Sequence, residues 1–412
     1  MKILPPALAL LSAVLPGVAV EQTALPPQSP APLQNSASGN GTQAISAPTT
    51  VSPALTATQQ SIEAVQRQLQ INPKKMQAYN DLAIALLRRA RESADPRYVN
   101  EAEHAVAQGF ALDPKNFPLQ KTQIAALLAS HRFLEAKQKA TDLNRHTPDD
   151  VTLYGYLAEA DLALGLYDDA ERSAQWMLNM LPNNVPGLLL AAELRTLYGD
   201  AEGALELLDL AYTETSPTEA EELAWIGNQI ASVEIDSGRI EAAATILERS
   251  EQVFPRYPYT SRNLARLRLA QRRPEEAVAL LSQATELDAD PSILYELAGA
   301  EAAAGHRGAA DNTYEKFENL ASTSGHQTEA STRDLILRYA SDPAKAPTAL
   351  KLAEACKALR EDVWTLDAYA WALDANGRYQ EANAPIQKAI AVGIQSAQIF
   401  DHAGHIQTAP SS

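Results

Sequence analysis

Three groups of side chains in this chain have types and spacings that could do chemistry. His402 and His405, with Asp401 beside them, would share one face of a helix. Zinc there would need one or two further ligands from elsewhere, so close to a fraying terminus the pair is not read as a metal site. The segment SRNLARLRLAQRR sets Arg262 and Arg266 at i, i+4, with Arg272 and Arg273 at its end. Such a basic island could take a carboxylate or an acidic peptide by bidentate contacts, or could pair with acidic neighbours such as Glu275 and Glu276. The aromatics Trp225, Tyr257, Tyr259, Trp364 and Trp371 could anchor a partner or pack helix against helix. No phosphate-cradling glycine loop, nucleophile elbow or HExxH helix occurs, and the remaining histidines are scattered. The expectation is a protein without catalysis, cofactor or metal. Cys356, the one cysteine, sits in AEACKAL and reads as a buried small residue.

The 412 residues carry 51 acidic and 34 basic side chains, a net charge of −17. This excess argues against nucleic acid and against an anionic membrane surface, both of which select clustered Lys and Arg. The N-terminus, MKILPPALALLSAVLPGVAVEQ, has Lys2, an apolar run from Ile3 to Val18, and Gly17 and Ala19 at the −3 and −1 positions of a cleavage site. Residues 1–19 therefore read as a signal peptide, and the chain as exported, periplasmic or secreted. The run is short and interrupted by proline, so the protein is integral to a membrane only if this segment stays uncleaved. Residues 20–57 are rich in Pro, Ser and Ala and read as a disordered linker, as does the tail 406–412.

The elements that must position these side chains announce themselves by repetition. Ala102, Ala136, Ala170 and Ala204 are spaced by 34, and the beat continues at Ala243, Ala277, Ala310, Ala349 and Ala382. Within each period two runs of apolar residues at three- and four-residue spacing are split by a turn, giving helix, turn, helix. Gly165, Gly199, Gly238, Gly305 and Gly377 fall just past the first helix, and Pro114, Pro148, Pro182 and Pro255 close the unit. A small pair inside the first helix recurs as Leu82-Ala83, Leu157-Ala158 and Leu297-Ala298. In this frame the chain resembles the tetratricopeptide repeats. The resemblance implies an all-α, right-handed superhelical solenoid of about eight or nine repeats over 76–405, with 58–75 as a capping helix.

The same resemblance implies where a ligand sits. First helices line a concave groove, and in this frame they present Asn80, Lys121, Glu159, Glu193, Trp225, Asn228, Tyr259, Arg262, Arg266, Glu296, Trp364, Asp367 and Trp371. Trp225, Asn228, Tyr259, Arg262, Arg266, Trp364 and Trp371 are the candidate partner-binding residues. The Lys/Asn clamp by which some members hold a chaperone C-terminus is missing: the first unit has Asn80 and Ile84, the second Lys121 and Ala125. The expected function is a scaffold holding a protein or peptide segment, in envelope assembly or secretion. The alternative is a carbohydrate-handling protein of polysaccharide export, with groove aromatics stacked on sugar. The frame is irregular in places: RESADPRY is inserted in the first unit, TETSPTEAEE lengthens a later one, and Pro385 should kink or shorten the last second helix.

Overall fold

The structure, a computed structural model, describes residues 56–286, 290–323 and 329–408. The expected signal peptide and nearly all of the linker lie outside these residues, as does the end of the tail. The described residues form twenty helices: α1 (Ala57–Ile71), α2 (Met76–Ser93), α3 (Arg97–Leu112), α4 (Phe117–Ala129), α5 (Phe133–Asn144), α6 (Val151–Leu164), α7 (Tyr167–Met180), α8 (Val185–Leu197), α9 (Ala201–Glu214) and α10 (Ala220–Asp236), followed by α11 (Ile240–Val253), α12 (Pro258–Ala270), α13 (Pro274–Ala284), α14 (Pro291–Ala303), α15 (Arg307–Ala321), α16 (Glu329–Ala340), α17 (Ala346–Lys357), α18 (Val363–Ala375), α19 (Tyr379–Ala391) and α20 (Ala397–Thr408). Helices α2 to α19 make nine antiparallel pairs, flanked by α1 and α20.

The recurring alanine explains the pairing. Ala102, Ala136, Ala170, Ala204, Ala243, Ala277, Ala349 and Ala382 are all fully buried, and Ala310 is nearly so. Each lies in the second helix of a pair, where a methyl group is all that fits between packed backbones. The helices start on side-chain caps where the unit boundary supplies one. Asn116, Asp150, Asn184 and Asp362 each accept a hydrogen bond from a backbone N–H of the first turn. RESADPRY does not form a looped insertion: α2 runs on to Ser93, and Ala94 ends it in the left-handed region at φ 50°. Pro385 does not shorten its helix either, because α19 continues through it to Ala391.

First helices pack on first helices along the array: α2 on α4, α4 on α6, α6 on α8, α16 on α18 and α18 on α20. Second helices pack mainly on the first helices that flank them, so they splay on the outer side and the stack curves. The curvature is tight enough that separate turns of the superhelix touch. The end of α2 meets the start of α10 through Arg88–Glu219 at 2.8 Å and Arg91–Glu221 at 2.6 Å. The end of α6 meets the start of α18, where Glu361 N–H donates to the Leu164 carbonyl at 3.2 Å and Val363 N–H donates to the Tyr167 hydroxyl at 2.9 Å. One apolar cluster accordingly joins Ala158, Leu162 and Leu194 to Trp364, Leu366, Ile386 and Ile399. Gly165 shows why the turn there is glycine. Its φ is +77°, and a Cβ would stand 2.5 Å from the Asp362 nitrogen and the Glu361 carbonyl carbon.

Candidate partner-binding surface

The inner face is built from the first helices, and its polar side chains mostly bond to the next unit. Thr122 Oγ1 donates to Asn80 Oδ1 at 2.8 Å. Asn228 Nδ2 donates to Thr260 Oγ1 at 2.8 Å and Asn263 Nδ2 to Asn228 Oδ1 at 2.9 Å. Arg262 donates to Glu296 at 2.6 Å and lies 3.7 Å from Asp290. Arg266 donates to Ser232 at 2.9 Å and to Asp236 at 3.0 Å. These bonds stitch α10, α12 and α14 into a polar ladder that repeats with the unit. Arg262 and Arg266 of the basic island are thus paired through the neighbouring first helices, while Glu276 takes Arg268 and Arg273.

The aromatic candidates divide the same way. Trp225 is 8 % exposed and meets Tyr259 edge-to-face at 5.3 Å, while Tyr259 stays partly exposed. Tyr257 is fully buried and its hydroxyl donates to Glu221 at 2.7 Å, next to the Arg91 guanidinium. Trp364, 7 % exposed, has the Arg333 guanidinium 5.8 Å from its ring centre on the α16 side. Trp371 faces α20, lying flat on His402 at 4.1 Å. The structure therefore gathers Trp225, Asn228, Tyr259, Arg262 and Arg266 into one patch, while Trp364 and Trp371, two turns apart along α18, meet α16 and α20 respectively. His402 and His405 face two carboxylates of α18, Asp367 at 2.7 Å and Asp374 at 3.1 Å.

Burial on the inner side has a price in charge. Burial pushes the Glu193 carboxyl up to about 7. Burial also raises Glu222 to about 7, against the nearby Arg91, and Asp334 to about 6, against Arg333. The His131 imidazole is pushed down to about 4, chiefly by burial. Tyr257 stands well above the usual phenol range, through burial and then the Glu221 carboxylate.

A second feature lies on the outer side, in the furrow that the splayed helices α5 and α7 leave over α6. Tyr154 and Trp176 are stacked there at 3.7 Å between ring centres and 17° between planes. The repeat frame places both rings between helices, so the signal was in the sequence: Trp176 is the one tryptophan outside the groove-facing set.

The family model described as tetratricopeptide repeat matches residues 234–301. "Cellulose synthase 1 operon protein C" of Komagataeibacter xylinus is 26% identical over 270 residues, which are 61% of this chain and 19% of that protein. The chain thus spans about a fifth of the length of this curated relative. Among solved structures, the APC/C hetero-tetramer Cut9-Hcn1 is similar with a TM-score of 0.51 at 14% identity, covering 84% of this chain and 58% of that one. A human IFIT1 dimer with m7Gppp-AAAA is similar with a TM-score of 0.53 at 13% identity, covering 81% and 85%. At these identities the likeness is one of fold.

Proposed function

We propose, from the premise that this chain belongs to the tetratricopeptide repeats, that it is a non-catalytic scaffold whose inner face holds a segment of a partner protein. The observation that carries this reading is the set of partly exposed inner side chains already fixed by a neighbour: Lys121 on Asp150 at 2.9 Å, Tyr259 against Trp225, and Trp371 on His402. Side chains immobilised before binding lose little entropy on contact, which favours affinity. Arg262, Asn228, Trp225 and Trp364 act beneath them as support, since all four are buried. The test is a crosslinked pull-down with the full chain and with Tyr259→Ser. A partner held by the parent and lost by the variant supports the reading, and equal recovery by both, or by neither, overturns it.

The finer setting is export to the cell envelope. The signal-like residues 1–19 support it, as does the relative named for a cellulose synthase operon. N-terminal sequencing of the mature protein in cell fractions tests this, with cleavage after Ala19 expected. A sugar stacked on the inner aromatics has weaker support, because Trp225 and Trp364 are buried and Trp371 is packed against two rings, His402 and His405.

A further inference from the structure

The furrow between α5, α6 and α7 has a volume of about 890 Å³, within the range of small-ligand sites. Its lining combines the stacked Tyr154 and Trp176 with Lys137 and Asp161, and with Gln175 and Asn179 at the rim. The repeat supplies its own controls for these residues. The residues 34 positions to either side of Trp176 are Asp142 and Leu210, and those flanking Tyr154 are Gln120 and Leu188. Asp161 corresponds to Leu127 and Arg195. Leu127 is buried at 3 % exposure, so the scaffold is satisfied by a leucine where this unit buries a carboxylate. Asp161 is also 3 % exposed and is held by Lys137 at 2.6 Å. Replacing a well-packed leucine by a buried ion pair brings no stability as a rule. The aromatic stack and the ion pair therefore stand out from the architecture at one and the same place.

The charges at the furrow are largely settled internally. Lys137 also lies 3.5 Å from Asp169, Arg172 pairs with Asp169, and Glu171 accepts from the Tyr198 hydroxyl. A cationic ligand would find Asp161 and Asp169 engaged, and an anionic one would meet the acidic rim of Asp168, Asp169 and Glu171. A neutral ligand with an apolar face and a polyhydroxylated edge matches instead. Its C–H face fits the side of the aromatic stack that lines the furrow, and its hydroxyls fit an ammonium and the groups left over on two side-chain amides, which share one hydrogen bond from Gln175 Nε2 to Asn179 Oδ1 at 2.9 Å. The geometry points to a binding site for a neutral saccharide on the outer face of the third helix pair, with Trp176 and Tyr154 as the platform, Lys137, Gln175 and Asn179 as the hydroxyl partners, and the buried Asp161 holding Lys137 in place. This site is separate from the inner face, so the chain can hold a glycan and a protein segment at once.

The test is calorimetric titration of the full chain with three soluble pentasaccharides: β-1,4-linked glucose, β-1,4-linked N-acetylglucosamine and α-1,4-linked glucose. At least one is expected to bind. Trp176→Ala should weaken it by about tenfold or more, as the loss of an aromatic platform does. Gln175 is exposed, so Gln175→Ala leaves the fold intact and should weaken binding severalfold. Absence of heat with all three sugars overturns the assignment, as does binding that neither variant changes. Loss of a protein partner from Trp176→Ala, with sugar binding absent, would give the furrow to a peptide and overturn it equally. Because Tyr259→Ser lies elsewhere, sugar binding that survives in that variant separates this site from the inner-face reading.

Discussion

Arg262 shows what the inner face asks of a single residue. Its side chain is 8 % exposed and sits between Glu296 and Asp290. Removing one partner of a buried pair strands the other, so Arg262→Met should cost about 3–5 kcal/mol in urea unfolding, and Arg262→Met combined with Glu296→Leu should recover most of it. A loss below about 1 kcal/mol would mean the pair is already hydrated. Glu193 makes a pH prediction. Its folded-state value, about 7, lies above the ordinary glutamate value of 4.5 because the carboxyl is buried. The folded state therefore holds this proton more tightly than the unfolded state, and stability is lost as pH rises from 4.5 towards 7. Glu193→Gln should flatten that part of the decline, seen as a smaller gap between thermal midpoints at pH 5 and pH 8. An unchanged gap would assign the pH dependence to other groups, of which Glu222 is the nearest in value. The sequence sets Arg262 and Arg266 at i, i+4 and offers Glu275 and Glu276 as one set of partners for the basic island, which holds for Arg273 with Glu276 but not for Arg262 and Arg266. The partners that hold them lie one unit away, and the 34-residue spacing of Arg262 to Glu296 was available as the signal.

At the scale of the helix pair, sterics override local preference. Eight of the nine first helices are followed by a left-handed residue, the exception being α16, and glycine supplies it at Gly165 and Gly377. Where the sequence offers no glycine, His131 and Arg272 take the same conformation at φ 57° and 60°. The pair geometry is thus imposed by the packed alanines and accepted by the turn, at a cost of about 1–2 kcal/mol for a side chain forced left-handed. Two glycines separate the contributions. Around Gly377 nothing lies within 4 Å of an added Cβ, so Gly377→Ala should lose only this backbone term. At Gly165 the added Cβ meets backbone of residues 361 and 362, so Gly165→Ala should lose distinctly more. Equal losses in denaturant titrations would show that the contact between turns yields freely. The pairs were legible because alanine, glycine and proline recur for reasons internal to one unit.

The whole molecule is where legibility ends. Contact between α6 and α18 depends on curvature summed over six pairs, and no spacing within a repeat encodes that sum. It makes the array less one-dimensional than repeat proteins usually are. Leu366 belongs to the cluster that also holds Ala158 and Leu162. Leu366→Ala should therefore raise amide hydrogen exchange in α6 and α7 as well as in α18, while α12 and α13, closer in sequence, keep their protection. A response confined to α16–α20 would show that the turns fluctuate independently.

The bond from Val363 to Tyr167 spans 196 residues, which turns architecture into timing. Translation at roughly 5–20 residues per second needs on the order of 10–40 s to deliver the second partner after the first has emerged. Throughout that interval the end of α6 presents Leu162 and its neighbours uncovered. The third pair is thus an early-made part that waits for a late-made lid, and the nascent chain needs protection at that place until the ribosome reaches α18.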